Sequence, residues 1–174
     1  MSETTETASG RRGVVTRQPD GRQRLEFRRS WPDPVEDVWA ALTEPDRLVR
    51  WIGTFDGERR PGSTGTFTMT HEAEPAGEPM RIVECDPPRR LVVEWTQEDT
   101  DAWRIDLDLW QEDGRTQLRF VQVFGADADV TDFAMGWHWY LDKLAAEVAG
   151  APQPGSWDVF LAEVGPAYGR TAAG

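Results

Sequence analysis

One apolar stripe near the C-terminus constrains this chain more than any other feature. From about residue 129 to Ala149, bulky apolar residues recur at spacings of four, four, three and four, which is typical of one face of an α-helix. Gly150 is a common helix stop. A helix of this length needs an equally long apolar surface to cover it. The residues of the stripe are Phe133, Trp137, Leu141, Leu144 and Val148.

The preceding half of the chain supplies such a surface as β-strands. The sequence WRIDLDLW alternates apolar residues with charged ones, and RQRLEFRRSW near the N-terminus does the same. A period of two predicts strands with one covered face and one wet face, which is typical of an antiparallel sheet. Further strands are predicted between Phe55 and Phe124, and Asp113-Gly114 predicts a tight hairpin.

Two short helices are expected between the first strand and the others. In PDPVEDVWAAL, Asp33 is predicted as the N-cap and Pro34 as the first helical residue. The apolar residues Val35, Val38, Trp39 and Leu42 then share one face. A second helix is expected from Thr43 or Glu44 to Gly53, with Leu48 and Trp51 facing inward.

The predicted class is therefore α+β, with a curved antiparallel sheet of about six or seven strands around a long C-terminal helix. We expect residues 1–20 to be a flexible polar tail and residues 21–150 to form the domain. Residues 151–174 are expected to pack on it as an extension with one short helix, SWDVFLAEV.

The net charge of the chain limits the classes of binding partner that we expect. The formal net charge is −12, and the first 30 residues carry seven arginines against four acids, so the remaining chain is strongly acidic. An acidic body disfavours nucleic acid and anionic membranes as partners. The acid-rich stretch from Glu94 to Asp113 is interpreted as a solvated sheet face. A polar N-terminus without an apolar run predicts a cytoplasmic location.

Five motifs together resemble the START-like (SRPBCC) helix-grip superfamily. Within it they resemble the branch named after the activator of heat shock protein 90 ATPase homologues. The motifs occur in the order of that family over about residues 22–149: PVEDVWAALTEPDRLVRW, RPGSTGTF, VECDPPRRLVVEW, GRTQLRF and GWHWYLDKL. One turn departs from the pattern, because Ser63-Thr64-Gly65 replaces the usual second glycine after Pro61-Gly62.

The resemblance implies a cavity for a hydrophobic or aromatic small molecule between the sheet and the C-terminal helix. Apolar walls would supply most of the affinity, and a few polar groups would orient the ligand. The predicted ligand-binding residues are Phe67, Met69, His71, Trp95, Trp103, Leu107, Phe120, Trp137, His138, Tyr140 and Leu141. Nine tryptophans could either line such a cavity or fill it.

The roles of the two histidines stay open at this point. If the strand through Phe67 and Met69 continues, His71 faces inward at the cavity mouth; otherwise it is an exposed residue at the end of that strand. His138 lies beside the apolar stripe, where it would contact a ligand, pack in the core, or act in catalysis. Trp139, on the opposite flank, is covered either by the segment around Trp157 or by a second copy in a homodimer.

Catalytic and metal-binding motifs are absent from the sequence. There is no phosphate-binding loop, metalloprotease helix or serine elbow, and the single cysteine, Cys85, predicts neither a disulfide nor a thiolate cluster. No cofactor, metal or fixed catalytic set is predicted. A cyclase or lyase that uses His138 or Tyr140 is the enzymatic alternative. The third alternative is an interaction module with a chaperone as its partner. The eponymous activator, however, has an N-terminal domain that this chain is expected to lack.

Overall fold

The computed structural model describes residues 12–72, 74–96 and 103–169. The strands are β1 (Val14–Arg17), β2 (Gln23–Trp31), β3 (Thr54–Asp56), β4 (Thr64–Thr68), β5 (Gly77–Asp86), β6 (Arg90–Trp95), β7 (Trp103–Glu112) and β8 (Arg115–Phe124). The helices are α1 (Val35–Thr43), α2 (Pro45–Trp51), α3 (Val130–Ala149) and α4 (Trp157–Val164), followed by a 3-10 turn (Gly165–Tyr168).

These strands form one antiparallel sheet in the order β1-β2-β8-β7-β6-β5-β4-β3. The central hairpin, β7 and β8, turns at Asp113 and Gly114, which both adopt positive φ as a two-residue hairpin loop requires. A register shift between Ile82 and Glu84 places a bulge in β5. The α+β class, the long C-terminal helix and the helix pair after β2 are confirmed.

Helix α3 lies across the inner face of the sheet and buries the predicted stripe. Asp129 caps its start by accepting from the Thr131 backbone N–H, and Gly150 ends it in the left-handed conformation. Trp137, Leu141, Leu144 and Val148 are buried, and Phe133 packs partly buried against the same core. The stripe therefore forms the contact between α3 and the sheet.

The outer face of the sheet carries a network of charges. Arg90 forms ion pairs with Glu84, Asp106 and Asp108, at 3.1, 2.9 and 2.8 Å. These pairs raise the pKa of Arg90, and the hydrogen bond to Asp108 is the largest contribution. The prediction that Asp106 and Asp108 point outward is confirmed.

Three local predictions differ from the structure. Helix α1 is capped by Pro34, without a side-chain hydrogen bond, and the Asp33 carbonyl instead accepts from the Thr116 hydroxyl at 2.6 Å. Strand β1 lies within the segment that the sequence predicted as a tail. Strand β4 ends at Thr68, so Met69 and His71 lie beyond it. No described helix has both the length and the hydropathy of a membrane span.

Candidate functional site

A cavity of about 100 Å³ lies between the sheet and α3. Its volume is of the order of the roughly 150 Å³ engineered apolar cavity that admits benzene in another protein. The strands contribute the floor and α3 contributes the roof. The predicted ligand-binding residues that line it are Phe67, Trp95, Leu107, Phe120, Trp137 and Leu141.

Aromatic side chains hold this wall in place without filling the space. The Trp95 ring packs edge-on against Phe67 at 4.8 Å between centroids, and Phe120 packs against Trp137 at 4.8 Å. The Trp137 indole N–H also donates to Gln122 Oε1 at 2.9 Å. Because Trp137 is fixed by this bond, its ring is a rigid part of the wall.

The helix pair closes one side of the cavity with Leu42, Leu48, Trp51 and Ile52. The Trp51 indole N–H donates to the Ala41 carbonyl at 2.7 Å inside the core, which fixes α2 against α1. Helix α2 is tied to α3 through Arg47, which pairs with Asp37 and Glu147. The inward direction of Leu48 and Trp51 was predicted, but the sequence did not indicate that they line the cavity.

Few polar groups reach the cavity wall. The Thr43 hydroxyl donates to the Trp39 carbonyl within α1, and burial raises the pKa of the Cys85 thiol, which keeps it protonated. The indole Nε1 of Trp95 is buried and has no hydrogen-bond partner among the described residues. Arg59 is the one charged residue among those that line the cavity.

Five predicted ligand-binding residues lie outside this wall. Trp103 packs against Trp95 and Phe133, at 6.1 and 5.2 Å between ring centroids, and so supports the wall from behind. Met69 packs partly buried against the main core after β4 has ended. The other three, His71, His138 and Tyr140, belong to two polar clusters.

The first cluster joins α3 to the segment after β4. His71 donates from Nε2 to the Val49 carbonyl at 2.9 Å, so its Nδ1 accepts from Lys143 Nζ at 2.8 Å. Tyr140 donates to Glu72 Oε1 at 3.0 Å. Burial lowers the pKa of Lys143, and burial together with the Glu72 carboxylate raises the pKa of Tyr140. His71 therefore fastens the segment to α2 and α3.

The second cluster surrounds His138, which is fully buried. The Tyr168 hydroxyl accepts from the Gly13 backbone N–H at 2.9 Å and lies 2.8 Å from His138 Nδ1, to which it donates. His138 Nε2 lies 3.4 Å from Asp142 Oδ2, which is within ion-pair distance but lacks hydrogen-bond geometry. The Tyr168 hydroxyl thus joins the C-terminal segment to His138 on α3 and to Gly13, the residue before β1.

Aromatic packing completes this second cluster. The His138 ring contacts Phe27 and Phe160 edge-on, with centroids 6.0 and 5.4 Å apart. Trp139 packs against Trp157 of α4 at 5.4 Å, as one of the two predictions for Trp139 required. Among the described residues, no group of three or more metal-ligating side chains occurs.

The match to a family model covers residues 33–149 and names the activator of Hsp90 ATPase homolog 1-like proteins. The chain belongs to this family. No curated protein matches the chain. Among solved structures, the chain is similar to the crystal structure of CalU16 from Micromonospora echinospora. The TM-score is 0.69 with 25% identity, over 93% of this chain and 96% of that one.

A second similar structure shows the same fold at lower identity. The protein encoded by gene BPP1335 from Bordetella parapertussis has a TM-score of 0.70 and 24% identity, and the match covers 96% of this chain and 94% of the other. Together with the family match, these relatives place the described architecture in the helix-grip superfamily that the five motifs resemble.

Proposed function

We propose that this protein binds a hydrophobic or aromatic small molecule in the cavity between the sheet and α3. The observation that carries the proposal is the cavity itself, whose walls are apolar side chains fixed by packing and by the Trp137 hydrogen bond. Transfer of an apolar ligand from water into the cavity is favourable by roughly 25 cal/mol of free energy per Å² of apolar surface buried.

The enzymatic alternative lacks a comparable observation. A cyclase or lyase would need an acid or base within reach of the ligand. His138 is engaged with Tyr168 and Tyr140 with Glu72, and neither lines the cavity. The homodimer and the chaperone partner stay as proposals without support from a particular contact.

The experiment is a titration with 3-phenylpropan-1-ol, a neutral probe with one aromatic ring and one hydroxyl group. We expect saturable shifts in the amide NMR spectrum, largest around Phe67, Val93 and Leu107, with a dissociation constant near 1 mM or tighter, about −4 kcal/mol. Shifts that are absent, or that spread over the outer face of the sheet without saturation, would refute the proposal.

A further inference from the structure

We propose that the ligand is an apolar acid, whose carboxylate pairs with Arg59 at the mouth of the cavity. This inference rests on the proposed function, and it adds the chemical class of the ligand. Arg59 is exposed, follows β3, and is the one charged residue among those that line the cavity.

The position of the guanidinium makes it available to a ligand. It lies over the Phe55 ring, 5.7 Å from the centroid, and its NH2 is 3.5 Å from the Phe55 carbonyl, which is at the limit of a hydrogen bond. Phe55 itself lines the cavity. A ligand that fills the apolar space therefore ends next to a cation, and most donors of this cation have no acceptor among the described residues.

Arg59 also lacks the ion pair that most arginines of this protein make. Its neighbour Arg60 pairs with Glu58 at 2.5 Å, and on the sheet Arg81 and Arg90 pair with carboxylates. No carboxylate among the described residues pairs with Arg59. In a chain of net charge −12, a cation without an acid partner beside an apolar cavity is suited to a ligand that brings its own carboxylate.

The overall charge makes the prediction specific. A strongly acidic protein repels anions at long range, so a general preference for acids is not expected. Any preference for an acid over a neutral analogue of the same shape must come from a local cation. The apolar lining gives no reason to prefer an amine, because no acidic residue lines the cavity.

The test compares three probes that differ in one group: 3-phenylpropanoate, 3-phenylpropan-1-ol and 3-phenylpropan-1-amine. At low salt we expect the acid to bind about three- to fivefold more tightly than the alcohol, as an exposed ion pair allows, and the amine to bind most weakly. Arg59→Gln should remove the preference for the acid over the alcohol. Arg60→Gln, at the adjacent paired arginine, should leave that preference intact.

The outcomes separate this inference from the proposed function. If all three probes bind equally, or if the acid preference survives in Arg59→Gln, the apolar-acid inference is wrong while the cavity still binds ligands. If none of the probes binds the wild-type protein, the proposed function itself fails.

Discussion

The hydroxyl of Tyr168 connects three distant parts of the chain, and its removal should be costly. In Tyr168→Phe, two buried groups lose their partner: the Gly13 backbone N–H at 2.9 Å and His138 Nδ1 at 2.8 Å. Water cannot replace the hydroxyl at His138, whose side chain is fully buried. Each unsatisfied group costs about 1–3 kcal/mol, so we expect the two together to lower the unfolding free energy by at least about 2 kcal/mol.

The other tyrosine of the chain provides a matched control. Tyr140 donates to Glu72, which is exposed and can be hydrated when the hydroxyl is removed. Tyr140→Phe should therefore cost less than about 1 kcal/mol. Chemical denaturation of both variants measures the difference, and thermal unfolding should show a drop of about 5–15 °C for Tyr168→Phe. Equal costs for the two variants would refute the assignment of His138 as a buried structural residue.

Two further predictions concern ionisable groups. Burial raises the pKa of Tyr168 to about 12 and also raises that of Tyr140. The unfolded chain loses these protons near pH 10, so stability should persist below that pH and fall as pH rises toward 12. Tyrosinate absorbance near pH 10 in the folded protein would contradict this. Separately, Arg90→Gln should cost about 1–2 kcal/mol at low salt and much less in about 1 M salt. Arg89 makes one exposed ion pair, so the control Arg89→Gln should lower the unfolding free energy only slightly. Equal losses for the two variants in chemical denaturation would refute a stabilising role of the Arg90 network.

The elements that sequence could predict are those whose signals are local. The stripe of α3 repeats over about four turns with a glycine stop, and the Asp113-Gly114 turn needs positive φ at both positions. Strand alternation gave the inner and outer faces of β7 correctly. Of the eleven ligand-binding residues that the family resemblance implies, six line the cavity; their contact with a ligand stays a prediction.

The residues whose predicted positions differ from the structure are held by contacts between segments that are distant in sequence. His71 does not follow the strand alternation because β4 ends at Thr68. Gly53 packs so closely there that any side chain at position 53 would collide with the Thr68 carbonyl. His138 turns away from the cavity because Tyr168, thirty residues later, accepts from Gly13 and holds its ring. Asp33 is not the N-cap, because Pro34 holds that position, and the Asp33 carbonyl accepts from Thr116. None of these partners is visible in a local window of sequence.

Arg59 was missed for a related reason. It occurs in a polar stretch before Pro61 and Gly62, where an arginine belongs to no periodic pattern that would predict its position. Only the fold brings it beside Phe55 and reveals that Glu58 is already paired with Arg60. Its relation to the cavity could therefore not be inferred from the sequence alone.

The central claim is that the cavity binds a ligand, and blocking it tests this most directly. Val93 lines the cavity, whereas Val121 lies on the outer face of β8 opposite Asp106. Calorimetric titration with 3-phenylpropan-1-ol should show binding to the wild-type protein and to Val121→Phe. For Val93→Phe we expect a dissociation constant at least tenfold higher, which corresponds to a loss of about 1.4 kcal/mol or more in binding free energy. Equal binding to all three proteins would contradict the account.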